Sequence, residues 1–270
     1  MGYIDYKEKI EMRNITLTSA DLISVAKDTN AYICNLVKIF KAIDFDIFYS
    51  LGQRNISGFI GEIYKNILAN SIPDLCVNPH PDGRPDILAL DTPEAIKHYS
   101  DCFVEVNGRK IPVKDKFTPF EFGGLEVKCS IGSSGKTQTQ QFISKFQHSF
   151  ALYESRVGYL NNITWWAHHN SSCNLLGLYY DYYAPLQGTP QILAAFYSEL
   201  TGDDWNAVSH GDANHKKTSN TSLNGQGLTK MKSHCMFSIC DYNYLQQLKS
   251  MGVSSKKLNQ LLTCKRRKAD

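Results

Sequence analysis

The stretch Gly124-Leu125-Glu126-Val127-Lys128-Cys129 decides how the chain is read. Side chains alternate across a β-strand, so an extended run here sets Glu126 and Lys128 on one face and Leu125, Val127 and Cys129 on the other. The apolar set predicts a strand over 125–130 resting on a core, and the opposite face presents an acid and a base side by side. Upstream, Pro85-Asp86 runs straight into Ile87-Leu88-Ala89-Leu90, which predicts a second strand with Asp86 at its start. With these two strands as neighbours, Asp86 and Glu126 converge on one hard cation through oxygen ligands, and Lys128 approaches the same point.

Working outward, Pro73, Pro79, Pro81, Pro85 and Pro93 break 71–93 into turns and short extended pieces. Asn107-Gly108 between two β-rich runs signals a hairpin, because both residues tolerate positive φ. A hairpin inserted over 94–121 accounts for the 40 residues from Asp86 to Glu126. On the N-terminal side, helical spacing predicts a helix over 19–45 capped by Ser19 and another over 57–70 capped by Ser57, with Glu62 at the edge of the second apolar stripe. Downstream, the pattern predicts a helix at 138–155, strands at 163–167, 175–180 and 235–240, and helices at 241–250 and 254–263. The polar stretch 202–232 is too long for a plain connection. The expected fold is α/β: a mixed central β-sheet flanked by helices in a single domain over 1–270. It has a helical N-terminal layer (1–56), a core (57–200), and a polar loop region with C-terminal helices (201–270).

Composition narrows the class without choosing within it. A hydrophobic fraction of 42% and a charged fraction of 20% are ordinary for a folded globular protein. The 29 basic and 26 acidic side chains leave a formal charge of +3, too even to announce a polyanion partner by itself. Eight cysteines carry no CxxC pair and read as small buried hydrophobes in a reducing cytoplasm. No apolar run approaches membrane-spanning length and the first residues are too charged for a signal peptide, so no membrane association is expected.

Two carboxylates and a lysine suit phosphodiester hydrolysis. Negative charge gathers on the attacked phosphate and the leaving oxygen, where Mg²⁺ held by Asp86 and Glu126 neutralises it and acidifies a bound water. Lys128 orients or activates that water, or stabilises the transition-state charge. Glu62 is a candidate outer ligand. These positions resemble the type II restriction endonucleases of the PD-(D/E)xK nuclease superfamily, with Pro85-Asp86 as the PD element, Glu126-x-Lys128 as the (D/E)xK element and Glu62 as the preceding helical glutamate. The likeness spans the order of elements over roughly 57–183. It implies a restriction-endonuclease-like core and an Mg²⁺-dependent endonuclease, with Mn²⁺ as a substitute, acting on double-stranded DNA as a homodimer. It further implies a prokaryotic cytoplasmic setting and a cognate DNA methyltransferase in the same host.

Competing readings of the same residues are a repair or recombination nuclease recognising DNA structure, and a non-catalytic DNA-binding protein in which Glu126 and Lys128 form a cross-face ion pair. Asp5-Tyr6-Lys7 repeats the acid-x-lysine pattern, and Asp74 and Asp82 also follow proline. Asp82 reads as a turn, and Asp74 is the substitute for Asp86. His168, His169 and Cys173, and His210, His215, His234 and Cys235, lack the paired short spacings of structural zinc. For DNA contact, Lys136, Thr137, Gln138 and Gln140 follow the catalytic strand, and Asn214, Lys216, Asn224, Gln226 and Lys230 lie in the polar stretch as candidate recognition residues.

Overall fold

The computed structural model describes residues 1–51, 53–117, 120–131, 163–168, 173–208 and 221–250. Three strands open the chain: β1 (Tyr3–Asp5), β2 (Lys9–Met12) and β3 (Ile15–Thr18). Helices α1 (Ser19–Lys41), α2 (Ile47–Ser50) and α3 (Gln53–Ser71) follow, then β4 (Leu75–Val77), β5 (Ile87–Ala89), α4 (Pro93–Ser100), β6 (Phe103–Val106), β7 (Arg109–Pro112) and β8 (Glu126–Ser130). The remaining elements are β9 (Trp166–Ala167), β10 (Asn174–Tyr183), β11 (Thr189–Glu199), β12 (Thr221–Ser222), α5 (Gly225–Ser233), β13 (Cys235–Ile239) and α6 (Tyr242–Ser250).

Among the described residues the central sheet has five strands in the order β1-β13-β11-β10-β8. Only β8 and β10 run parallel, pairing Glu126 with Leu175 and Lys128 with Gly177, and every other neighbour is antiparallel. The α/β class and the mixed sheet therefore stand. Along β10, Leu176, Leu178 and Tyr180 face one core, formed with α1, α3 and the β2–β3 hairpin through Ile10, Leu17, Leu22, Ile33, Ile60 and Tyr64. Leu175 and Tyr179 face a second core with Trp165, Trp205, Met231 and Tyr244. Both faces are buried, so β10 reads as a continuous apolar run rather than an alternating one. Gly177 makes this possible: a Cβ there would lie 2.5 Å from the Trp165 ring. That ring also donates Nε1–H to Leu178 O at 3.2 Å.

Several expectations are corrected. Residues 1–56 are not a purely helical layer, since β1 joins the central sheet and β2–β3 packs under α1. Helix α1 is capped by Thr18, not Ser19, in a reciprocal box with Asp21. Helix α3 begins at Gln53, so Ser57 lies inside it and its Oγ meets Tyr180 OH at 3.0 Å. Pro93 does not break structure; it occupies the first turn of α4 behind the Thr92 cap, where its missing N–H is harmless. The insertion over 94–121 therefore holds a helix as well as the β6–β7 hairpin. Strand β11 is absent from the sequence reading, and 163–167 supplies only β9, which pairs with β12 outside the central sheet. Cys76 and Cys240 are exposed rather than buried. The expected helices at 138–155 and 254–263 lie outside the described residues. Among the described residues, no helix is long and apolar enough to cross a membrane.

Candidate active site

Strand β5 reaches the edge of the central sheet through one antiparallel bridge between Ile87 and Leu125. Its two hydrogen bonds are Ile87 N to Leu125 O at 3.0 Å and Leu125 N to Ile87 O at 2.9 Å. One step back along β5 and one step forward along β8 put Asp86 opposite Glu126, on a shared face. Gly124 allows this approach. Its φ is +99°, and a Cβ would stand 2.4 Å from Ile87 O and 2.6 Å from Pro85 Cγ. The loop before Asp86 is folded over buried Asn78, whose Nδ2 donates to Pro85 O at 2.9 Å and whose backbone N–H donates to Asp86 O at 3.0 Å. On the other side, Asn174 Nδ2 donates to Gly124 O at 3.1 Å and Asn174 Oδ1 accepts from Tyr197 OH at 3.2 Å, tying the strand entry to β10 and β11.

Three side chains meet at this junction. Asp86 Oδ2 accepts from Val127 N at 2.9 Å and lies 3.1 Å from Lys128 Nζ, which is 2.6 Å from Glu126 Oε1. The Glu126 side chain is 5% exposed, and its second oxygen, Oε2, is shut from solvent without a hydrogen-bond partner. Burial pushes the Glu126 carboxyl above the ordinary glutamate range; Lys128 and Arg84 pull it back, but Asp86 pushes the same way as burial. Burial alone would lower the Lys128 ammonium, yet the two carboxylates beside it outweigh that and hold it above the usual lysine value. Lys128 is therefore a fixed positive charge at neutral pH. The half-buried Arg84, its own pKa lowered by burial, adds a second cation near Glu126.

A cleft of about 580 Å³ is lined by Asp86 and Lys128, and the buried Glu126 is not part of its wall. One wall is α3, where Ser57, Gly58, Gly61, Glu62 and Lys65 fall on one helical face, and the other carries Thr164, Trp166 and His168. Lys65 is nearly buried and pairs with the exposed Glu62 at 2.7 Å. Trp166 is 58% exposed.

Asp86, Glu126 and Lys128 come together as expected. Glu62 reaches the same cleft, but its carboxylate is engaged with Lys65 instead of standing beside the other two acids. Asp74 is excluded as a neighbour: its carbonyl binds Leu90 N at the far end of the β4–β5 pair, about 13 Å from Asp86 at 3.3 Å per residue. Asn224 is committed to structure, capping α5 at Gly227 N and donating to Asp203 O. Lys230 is committed to the buried Asp204 at 2.7 Å. Gln226 is exposed on α5. Lys136, Thr137, Gln138, Gln140, Asn214 and Lys216 lie outside the described residues. Sequence reading missed Arg84, Asn78 and Lys65; only Lys65 had a signal, because Gly58, Gly61, Glu62 and Lys65 share a helix face that is small and charged rather than apolar.

The donor set fits a small hard cation. An ionised carboxylate oxygen buried without a partner is costly, and a divalent cation removes that cost. Among the described residues no group of three or more His, Cys, Asp or Glu is arranged for metal, so a cation here would rest on two carboxylates. Mg²⁺ is commonly held in that way, with water and phosphate oxygens completing its shell. No family model matches the chain, and comparisons with curated proteins and with solved structures found no match.

Proposed function

We propose that this protein is an Mg²⁺-dependent endonuclease of duplex DNA, a site-specific enzyme with a restriction-endonuclease-like core. One observation carries the reading: Asp86 and Glu126 converge on Lys128, Asp86 and Lys128 line a cleft, and a buried Glu126 oxygen is left unsatisfied. Asp86 Oδ1 and Glu126 Oε2, the oxygens not taken by Lys128, would hold the cation. When bound, Mg²⁺ supplies charge neutralisation at the phosphate and a more acidic water.

The chain's own groups do the rest. Lys128, kept protonated by two acids, is suited to stabilising charge on the phosphate in the transition state rather than to abstracting a proton from water. Val127 N–H fixes the Asp86 carboxylate. Lys65 supplies a further cation on the α3 wall of the cleft, and Trp166 a flat apolar surface on the other wall. The expected homodimer and the cognate methyltransferase belong to the same proposal.

Digestion of an ordinary plasmid with Mg²⁺ tests it. Discrete bands are expected from the wild type, and Glu126→Gln or Lys128→Ala should lose about a thousandfold or more in rate while retaining fold and DNA binding. Wild-type rates in both variants would sink the assignment, and a smear would replace site specificity with a structure-directed or non-specific cutter.

A further inference from the structure

The β6–β7 hairpin is a two-stranded ribbon at the surface. Every residue from Val104 to Ile111 is exposed. Directly opposed residues share a face, so Val104, Ile111, Val106 and Arg109 lie on one side, and Phe103, Pro112, Glu105 and Lys110 on the other. The second face is rooted: Phe103 meets the Phe117 ring edge-on at 6.3 Å, against the small core of Leu88, Ala95 and Tyr99. Among the described residues the first face joins none of the cores, and Val104, Val106 and Ile111 are 40%, 45% and 44% exposed. An isolated two-stranded hairpin is marginal in water, and an outward row of β-branched side chains is a surface made to be covered.

Two features say by what. The tip sequence Val106-Asn107-Gly108-Arg109-Lys110 sets two adjacent cations and an amide beside the turn. The base of the ribbon is tied to the active site, since Lys114 Nζ lies 3.4 Å from Asp82 Oδ2, in the loop that delivers Asp86. A two-stranded β-ribbon is an element that a major groove about 12 Å wide and 8.5 Å deep admits.

We infer that the β6–β7 ribbon is a groove-reading element for duplex DNA, with Arg109, Lys110 and Asn107 on phosphates and base edges and the Val104, Val106 and Ile111 face against sugars and thymine methyls. The inference rests on the nuclease reading for its substrate, but it is tested by binding alone.

The measurement is fluorescence anisotropy of the full-length chain with a labelled mixed-sequence duplex of about three helical turns, at several KCl concentrations and with magnesium withheld. Arg109→Glu with Lys110→Glu is expected to weaken binding about 10- to 100-fold and to make the salt slope shallower by about two, with an unchanged circular dichroism spectrum. Val104→Ser with Ile111→Ser is expected to weaken binding several-fold at an unchanged slope. Wild-type affinity and slope in the charge variant overturn the inference, as does a fall from dimer to monomer in sedimentation with DNA binding intact, which would make the ribbon a contact between copies. Ribbon-dependent binding by a wild type that never cuts with Mg²⁺ or Mn²⁺ upholds the inference and removes the nuclease reading.

Discussion

Two buried carboxylates in this molecule face a lysine, and they are tuned in opposite directions. Asp204 is fully buried and collects its donors on Oδ2: Thr201 N at 2.8 Å, Lys230 Nζ at 2.7 Å and Thr201 Oγ1 at 3.3 Å. Burial alone would raise its pKa, but Lys230 and Thr201 outweigh it and hold the carboxyl below the ordinary aspartate value. Glu126 is as deeply placed and has Lys128 at 2.6 Å, yet its carboxyl is raised. Each leaves one oxygen unpartnered, Oδ1 in Asp204 and Oε2 in Glu126, so an orphaned oxygen alone does not mark a cation site. What separates them is the balance struck against burial: Asp204 gathers Lys230 and both Thr201 donors on one oxygen, whereas at Glu126 burial is the largest effect, Lys128 and Arg84 do not offset it, and Asp86 adds to it. The first arrangement is a closed clamp between the 201–205 turn and α5. The second is an acid pair that shares one lysine, with Asp86 on the wall of a cleft and one oxygen of each acid not taken by that lysine, and oxygen donors are what a hard divalent cation requires.

Stability measurements give the largest separation between the two. Asp204→Asn or Lys230→Met should lower unfolding free energy by about 2–3 kcal/mol in urea titration, because each breaks a charge-assisted bond at a buried carboxylate. Glu126→Gln should cost under about 1 kcal/mol, since the amide removes a poorly compensated buried charge and its oxygen still accepts from Lys128. The reverse ranking would mean that Glu126 is the structural member of the two.

How much of this was legible in the sequence depends on which physical rule decides each feature. Alternation along a strand is local, so Glu126 and Lys128 could be placed together from six residues, and the apolar run after Asp86 marked the partner strand. The 40-residue gap was legible as an insertion because Asn107-Gly108 punctuates it. Strand β11 was lost because it is buried on both faces, which erases the period-two pattern by which strands are recognised. The internal partners of Lys230 and Asn224 were not legible because a polar side chain looks the same in a loop or in a cap, and the partner, 26 residues away for Lys230, is fixed only by the fold. Arg84 was passed over because it sits in a proline-bounded turn, where only the bridge from Ile87 to Leu125 brings it near Glu126.

The pH dependence should then run in opposite senses. Asp204 has a lowered pKa, so it contributes stability above the unfolded aspartate value and loses it as pH falls through the folded value; the deficit of Asp204→Asn should shrink below about pH 4. Glu126 has a raised pKa, so it contributes most below the unfolded glutamate value and loses that as pH rises through the folded one. Glu126→Gln should accordingly gain on the wild type as pH rises above the ordinary glutamate range. Parallel pH profiles of the two variants would show that burial and Asp86 do not hold the Glu126 carboxyl up.

Magnesium gives the smallest effect and the most selective one. A cation that binds only the folded chain, at about ten times its Kd, adds about 1.4 kcal/mol, or a few degrees in melting temperature for a chain of this size. Wild type should show that increment and Glu126→Gln should not. Asp204→Asn should melt lower throughout yet rise by the same amount as wild type when Mg²⁺ is added, because its defect lies in the clamp and not at the acid pair. An equal rise in all three proteins would place the cation away from Glu126, and no rise in any would leave the raised carboxyl as a cost of the fold with no cation to relieve it.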